Sequence, residues 1–184
     1  MLLTPGPTPV PEFVRKAMAD ITIHHRTEEF EAIFKNTREL LIEIYDMPEV
    51  VMLASSGTGA MEACVTNLTH KKALTINSGK FGERFGKICA AFGIDYTEIK
   101  NEWNTPVSVE AVVEAIKADS SIDAVFIQIC ESAGGLRHPV EQIAAEIKKI
   151  NKDITIVADG ITAVGVEKID TTNLDAVVTG SQKA

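Results

Sequence analysis

Cysteine, aromatics and long apolar runs are all scarce in this sequence, and each scarcity removes a class of protein. Its 184 residues include 3 Cys, 1 Trp, 2 Tyr and 7 Phe. Cys64, Cys89 and Cys130 are odd in number, widely spaced and form no CxxC pair. A disulfide framework is thereby excluded, and the three read as small buried hydrophobes in a reducing compartment. So few and scattered aromatics exclude a base-stacking surface. His70 and His138 stand alone, while the adjacent His24 and His25 would diverge in an extended chain; with no HxxxH or Cys/His spacing, no metal is expected.

No segment approaches the roughly 18 consecutive apolar residues that a bilayer crossing needs. The opening MLLTPGPTPVPEF has no Lys or Arg ahead of an apolar core, the first basic residue being Arg15, so it reads as neither signal nor transit peptide. The expectation is a soluble, cytoplasmic protein with no membrane partner. Eighteen Lys+Arg against 26 Asp+Glu give a formal charge of -8. That field repels a phosphate backbone, so no nucleic-acid partner is expected either.

What is present suits a globular domain: 45% hydrophobic and 24% charged residues, with only 12 Gly and 7 Pro. A chain of this length buries roughly 70% of its unfolded surface in a single core. Thr27-Glu28-Glu29 is an N-cap with an acidic first turn, and Phe30, Ile33, Phe34, Thr37, Leu40, Leu41 and Ile44 continue at helical spacing. Val50 to Ala54 reads as a short strand, the glycine turn 55–59 follows, and Ala60 to Leu68 is helix-compatible. Further strands are expected at Ala73 to Asn77, Ile94 to Ile99, Asp123 to Cys130, Ile154 to Ala158 and Ala176 to Thr179. Between them lie a helix stopped by Gly93, one capped by Ser108 and one whose first turn holds Pro139. Continuously apolar strands alternating with amphipathic helices imply an α/β fold: three αβα layers around a mainly parallel sheet.

Ligands of such sheets collect beyond the carboxyl ends of the strands. Attention therefore falls on 55–59, 79–81, 130–135, 159–162 and 180–183. Ser56-Gly57-Thr58-Gly59 at a helix start suits an anion, through free backbone N–H groups and two hydroxyls, and equally suits a capped, tightly packed turn. Glu62 stands where a dinucleotide fingerprint requires its third glycine, and Ser78-Gly79-Lys80-Phe81 lacks the flanking residues of a phosphate-transfer loop. Asp159 ends an apolar strand, as a ligand group or as a cap for 160–164. Lys183 likewise follows an apolar strand, where most lysines are ordinary surface residues. There is no GxSxG elbow to support a serine hydrolase.

Together these segments resemble the class V aminotransferases of the fold-type I pyridoxal-phosphate enzymes, in the branch of alanine-glyoxylate and serine-pyruvate aminotransferases. The likeness spans the whole chain. It rests on Pro5-Gly6-Pro7-Thr8, Ser56 through Ala63, Glu131-Ser132, Asp159 and Gly180-Ser181-Gln182-Lys183. It implies the large domain of that fold, with pyridoxal 5'-phosphate as cofactor. Lys183 then condenses with the cofactor aldehyde and shuttles the substrate's α-proton, which requires its amine to be neutral. Asp159 pairs with the pyridine nitrogen. Phe81 stacks on the ring, Ser132 lies near the phenolic oxygen, and Ser56, Gly57, Thr58 and Gln182 hold the phosphate. Gly6 lines the substrate side. The implied reaction exchanges an amino group between alanine or serine and glyoxylate or pyruvate, in a cytoplasmic homodimer. Cysteine desulfurases and lyases of the same superfamily are the nearer alternative, although desulfurases usually carry His where Phe81 and Gln182 stand. A catalytically silent α/β binding or scaffold protein is the more distant one.

The resemblance also implies division into a lead segment, 1–20, and a partial cofactor-binding domain, 21–184, without the C-terminal small domain. The family's sheet contains an antiparallel strand between the segments matching Val50 to Ala54 and Ala176 to Thr179. This sequence stops before that strand, so the expectation is a gap in the sheet and an inactive piece of a larger enzyme.

Overall fold

In the computed structural model, residues 4–183 are described; the first three residues of the lead and Ala184 lie outside the described residues. The chain runs α1 (Glu12–Met18), α2 (Glu28–Tyr45), α3 (Gly57–Leu68), β1 (Lys72–Asn77), α4 (Gly82–Phe92), β2 (Tyr96–Lys100), α5 (Val109–Ala118), β3 (Ile122–Gln128), β4 (Cys130–Glu131), β5 (Leu136–Arg137), α6 (Val140–Ile150), β6 (Thr155–Asp159) and β7 (Ala176–Val178). Local chemistry accounts for the helix ends. Thr27 Oγ1 accepts the Phe30 N–H at 3.4 Å, and Ser108 Oγ accepts the Ala111 N–H at 3.1 Å. Gly93 closes α4 in the left-handed region at φ 68°, where a side chain would be strained.

Five strands form one parallel sheet in the order β2-β1-β3-β6-β7. On one face α5 and α6 set Val112, Ile116, Ile143 and Ile147 against Leu74, Ile76, Val125 and Ile156. On the other, α3 and α4 set Met61, Val65, Phe85 and Cys89 against Ala73, Phe126 and Val157. Because both faces are covered, the central strands β1, β3 and β6 are buried at nearly every position and mostly apolar, with polar residues such as Asn77, Gln128 and Asp159 at their carboxyl ends. The fold is the expected three-layer αβα. No helix among the described residues is long and apolar enough to cross a membrane.

The structure corrects several local expectations. Residues 50–54 form no strand, and Val51 and Leu53 are 78% and 45% exposed. An apolar run becomes a strand only beside a partner that takes its N–H and C=O groups, and among the described residues no strand lies next to this one. The segment 123–130 splits, because Ile129 donates to the Asp159 carbonyl at 2.8 Å and the chain then turns out of the sheet. Cys130 pairs instead with Arg137 in the small β4-β5 hairpin. Residues 160–164 are a turn rather than a helix. His24 and His25 stack at 4.6 Å, because the Thr27 N–H bonds the His24 carbonyl and closes a turn in place of an extended chain. The lead segment contains α1, which sequence periodicity did not indicate.

Candidate active site

The strand order decides where a site can form. From β1 the chain moves outward to β2 on one side, then returns to β3 on the other. The reversal opens a crevice beyond the carboxyl ends of β1 and β3. Phe81 follows β1, Ser132 follows β3, Asp159 ends β6, and Gln182 and Lys183 follow β7. These five, with Ser56, Gly57 and Thr58 at the start of α3, line a single cleft. Gly6 packs behind the lysine. The residues that the resemblance assigned to the site therefore lie in or against one cleft.

Asp159 is only 6% exposed, and its Oδ1 accepts the Ile161 N–H at 3.0 Å. Burial pushes its carboxyl up to about pKa 6; the Ile161 N–H and the nearby Arg84 and Lys183 oppose that rise, while Glu131 adds to it. Among the described residues no cation pairs with it directly. A protonated ring nitrogen in the cleft would supply the missing partner, so this acid fits a pyridine cofactor. The 159–161 bond is a local turn contact, so the expected cap survives as an Asx turn without a helix behind it.

Lys183 is half-buried, with Nζ 5.7 Å from the centre of the Phe81 ring. The lead segment holds it there: the Thr8 N–H donates to the Gln182 carbonyl at 3.1 Å, and the Thr8 hydroxyl donates to the Lys183 carbonyl. A Cβ on Gly6 would stand 2.3 Å from Lys183 Cδ and 2.9 Å from Nζ. A side chain at position 6 would displace the Lys183 chain from the place it occupies here.

The other end of the cleft suits an anion. Ser56 caps α3 without any side-chain bond to the helix, leaving its hydroxyl uncommitted. The first turn of α3 has no acidic residue, whereas those of α1, α2, α4, α5 and α6 each carry at least one Glu. Its amides and the positive end of its dipole therefore face the cleft uncompensated. A Cβ on Gly57 would lie 2.3 Å from Ile161 Cδ1, so glycine is what brings this turn against the loop after β6.

One residue of the cleft, Arg84, escaped sequence reading, and Glu131, part of the motif at 131–132, had no role assigned to it. Arg84 lines the cleft, donates to Thr58 Oγ1 at 3.1 Å and lies 4.9 Å from the Phe81 ring centre. It stands one helical turn beyond Phe81, and that spacing was its available signal. Glu131 is buried and accepts backbone N–H bonds from both flanking loops. Like Asp159, it is an acid at the end of an apolar run.

Comparison with known proteins gives this arrangement a context. Residues 2–184 match the family described as Aminotransferase class-V. An uncharacterized aminotransferase of Helicobacter pylori is 50% identical over 184 residues, covering 100% of this chain and 50% of that protein. The serine–glyoxylate aminotransferase of Methylorubrum extorquens is 27% identical over 190 residues, covering 99% of this chain and 47% of that protein. The crystal structure of an aspartate aminotransferase of subgroup IV from Thermus thermophilus superposes with a TM-score of 0.90 at 30% identity, over 98% of this chain and 52% of that one. The chain spans about half the length of the curated relatives it matches.

Proposed function

Given that the chain belongs to the class-V aminotransferase family, we propose that its protein transfers an amino group between alanine or serine and a 2-oxo acid, glyoxylate or pyruvate. One observation carries the reading: a lysine amine, a buried unpaired aspartate and an acid-free helix start meet in one cleft. The relative named for serine and glyoxylate supports the substrate pair.

Pyridoxal phosphate, the family's cofactor, supplies when bound an aldehyde and a protonated heterocycle that accepts the electrons released as the substrate's Cα–H bond breaks. Lys183 would hold the cofactor through its aldehyde and, once the substrate's amine has displaced it, its free Nζ would move the α-proton. Asp159 offers its carboxylate to the ring N–H and keeps that proton in place; a cation so close favours the ionised acid and relieves the cost of its burial. Phe81 covers one ring face and excludes water. Ser132 turns its hydroxyl toward the phenolic oxygen. Ser56, Gly57, Thr58 and Gln182 hold the phosphate, aided by the amides of α3. Gly6, against which the Lys183 side chain lies, lines the substrate side through its backbone. On the same reading, residues 1–20 are a lead and 21–184 part of the cofactor domain of a cytoplasmic homodimer.

Titrating the full-length protein with pyridoxal phosphate tests this directly. A visible absorption band forms in the wild type and is absent in Lys183→Ala, whose turnover of alanine or serine with glyoxylate falls by about 10²–10⁴-fold or more. No band in the wild type, or one that survives the substitution, removes Lys183 from the chemistry.

A further inference from the structure

The chemistry above gives no task to Glu131, although it is the most buried carboxylate bordering the site, at 1% exposure. Its Oε2 accepts the N–H groups of Phe81 at 2.9 Å and Gly82 at 2.7 Å, and its Oε1 accepts the Ala133 N–H at 3.0 Å. Among the described residues no lysine or arginine forms an ion pair with it. A carboxylate so deeply buried persists only where hydrogen bonds replace its water. Here three backbone donors and the positive end of α4 do so.

Those donors come from two loops. Phe81 and Gly82 stand where the loop after β1 enters α4, Ala133 belongs to the hairpin after β3, and the crevice runs between them. One side chain thus ties both walls. On one wall its partner is the amide of the very residue whose ring faces the cleft; on the other, Glu131 and Ala133 bracket Ser132. Gln128 Nε2 adds a bond to the Phe81 carbonyl at 3.2 Å, anchoring the same residue from β3. Space for the clamp depends on Gly79, where a Cβ would lie 2.6 Å from Glu131 Cγ and 2.7 Å from its Cδ.

We propose that Glu131 is a positioning residue: its carboxylate sets the separation of Phe81 and Ser132 across the crevice, and with it the tilt of a flat heterocycle held between them. The inference rests on the cofactor reading of this cleft. Glutamine keeps the shape of glutamate but turns an NH₂ group toward a backbone donor, so Glu131→Gln severs one arm of the clamp while filling the same space. Gly79→Ala keeps the carboxylate and displaces it.

Both variants, with Glu131→Ala for comparison, are examined in the full-length protein by two measurements. In cofactor-free protein, hydrogen exchange of peptides spanning 78–84 and 129–135 accelerates in each variant. With pyridoxal phosphate added, the circular dichroism of the visible band weakens or changes sign, and affinity falls about tenfold, the effect of losing one hydrogen bond to a charged group. If Glu131→Ala fails to fold, the isosteric Gln and the Gly79 variant carry the test. Wild-type exchange in both peptides overturns the clamp. Faster exchange with an unaltered dichroic band and affinity also overturns it, because the carboxylate then only stabilises the fold. A wild type that shows no Lys183-dependent band sinks the cofactor reading instead, and the exchange data still decide whether the two loops are tied through Glu131.

Discussion

A carboxyl group removed from water as fully as that of Asp159 resists ionisation, and the cofactor-free protein bears the consequence. Its pKa rises from 3.8 to about 6 on folding, through burial above all. The folded state therefore holds the proton more tightly than the unfolded chain, and stability falls as pH rises between those values. Above pH 6 the full cost is present, about 3 kcal/mol at 1.36 kcal/mol per unit. Asp159→Asn, which keeps an oxygen for the Ile161 N–H, should thus gain stability over wild type as pH rises from 4 to 7. Urea unfolding of both proteins at each pH measures this, and a gap that stays constant contradicts it. His138 works in the opposite direction. Burial lowers its imidazole to about pKa 4, so its contribution is present above 6.5 and disappears as pH falls through 4. Removing Asp159 consequently leaves a protein more visibly sensitive to acid.

Among the helices, the same capping chemistry has different consequences according to what the helix buries. Ser108 starts α5, which sends Val112 and Ile116 into the core. Thr27 starts α2, an 18-residue helix with no buried residue. Ser108→Ala should lower global stability by about 1 kcal/mol. Thr27→Ala should fray α2 and leave the midpoint of unfolding nearly unchanged. Far-UV circular dichroism together with a urea titration separates the two, and equal midpoint shifts contradict the distinction. Helix α3 differs from both: its cap makes no side-chain bond and its first turn carries no acid, so stabilisation of its start is left to whatever anion binds there.

Across the whole molecule, stability follows the layers. Strands β1, β3 and β6 are buried on both faces, whereas α1 and α2 contribute no buried residue. Hydrogen exchange should proceed accordingly, with α1 and α2 opening first and the amides of β3 last, at the free energy of global unfolding. Protection in α1 equal to that in β3 would contradict this. The formal charge of -8 makes the overall field hostile to anions. On the proposed function, a phosphate would be captured by local donors, the α3 amides with Ser56, Thr58 and Gln182, rather than drawn in by the protein's net charge.

Much of this architecture could be read without coordinates, for local reasons. Apolar runs marked the strands at 72–77 and 155–159, Thr27 and Ser108 marked helix starts, and Gly93 a helix end, because each acts on its immediate neighbours. Residues 50–54 misled for the complementary reason: their composition is that of a strand, but a strand also needs a neighbouring strand, and none of the described residues supplies one. Arg84 stayed hidden, and Glu131 was singled out without a role, because their meaning comes from contacts across 26 and about 50 residues of sequence. The loops that carry the cleft could be located from the chain itself, since loops after parallel strands all emerge at one edge, whereas the roles of Phe81, Ser132, Gln182 and Gly6 came only from the family resemblance. That Glu131 spans from one wall to the other, and that Gly6 lies against Lys183, followed from strand order and three-dimensional packing, in which groups remote along the backbone compete for the same few ångströms.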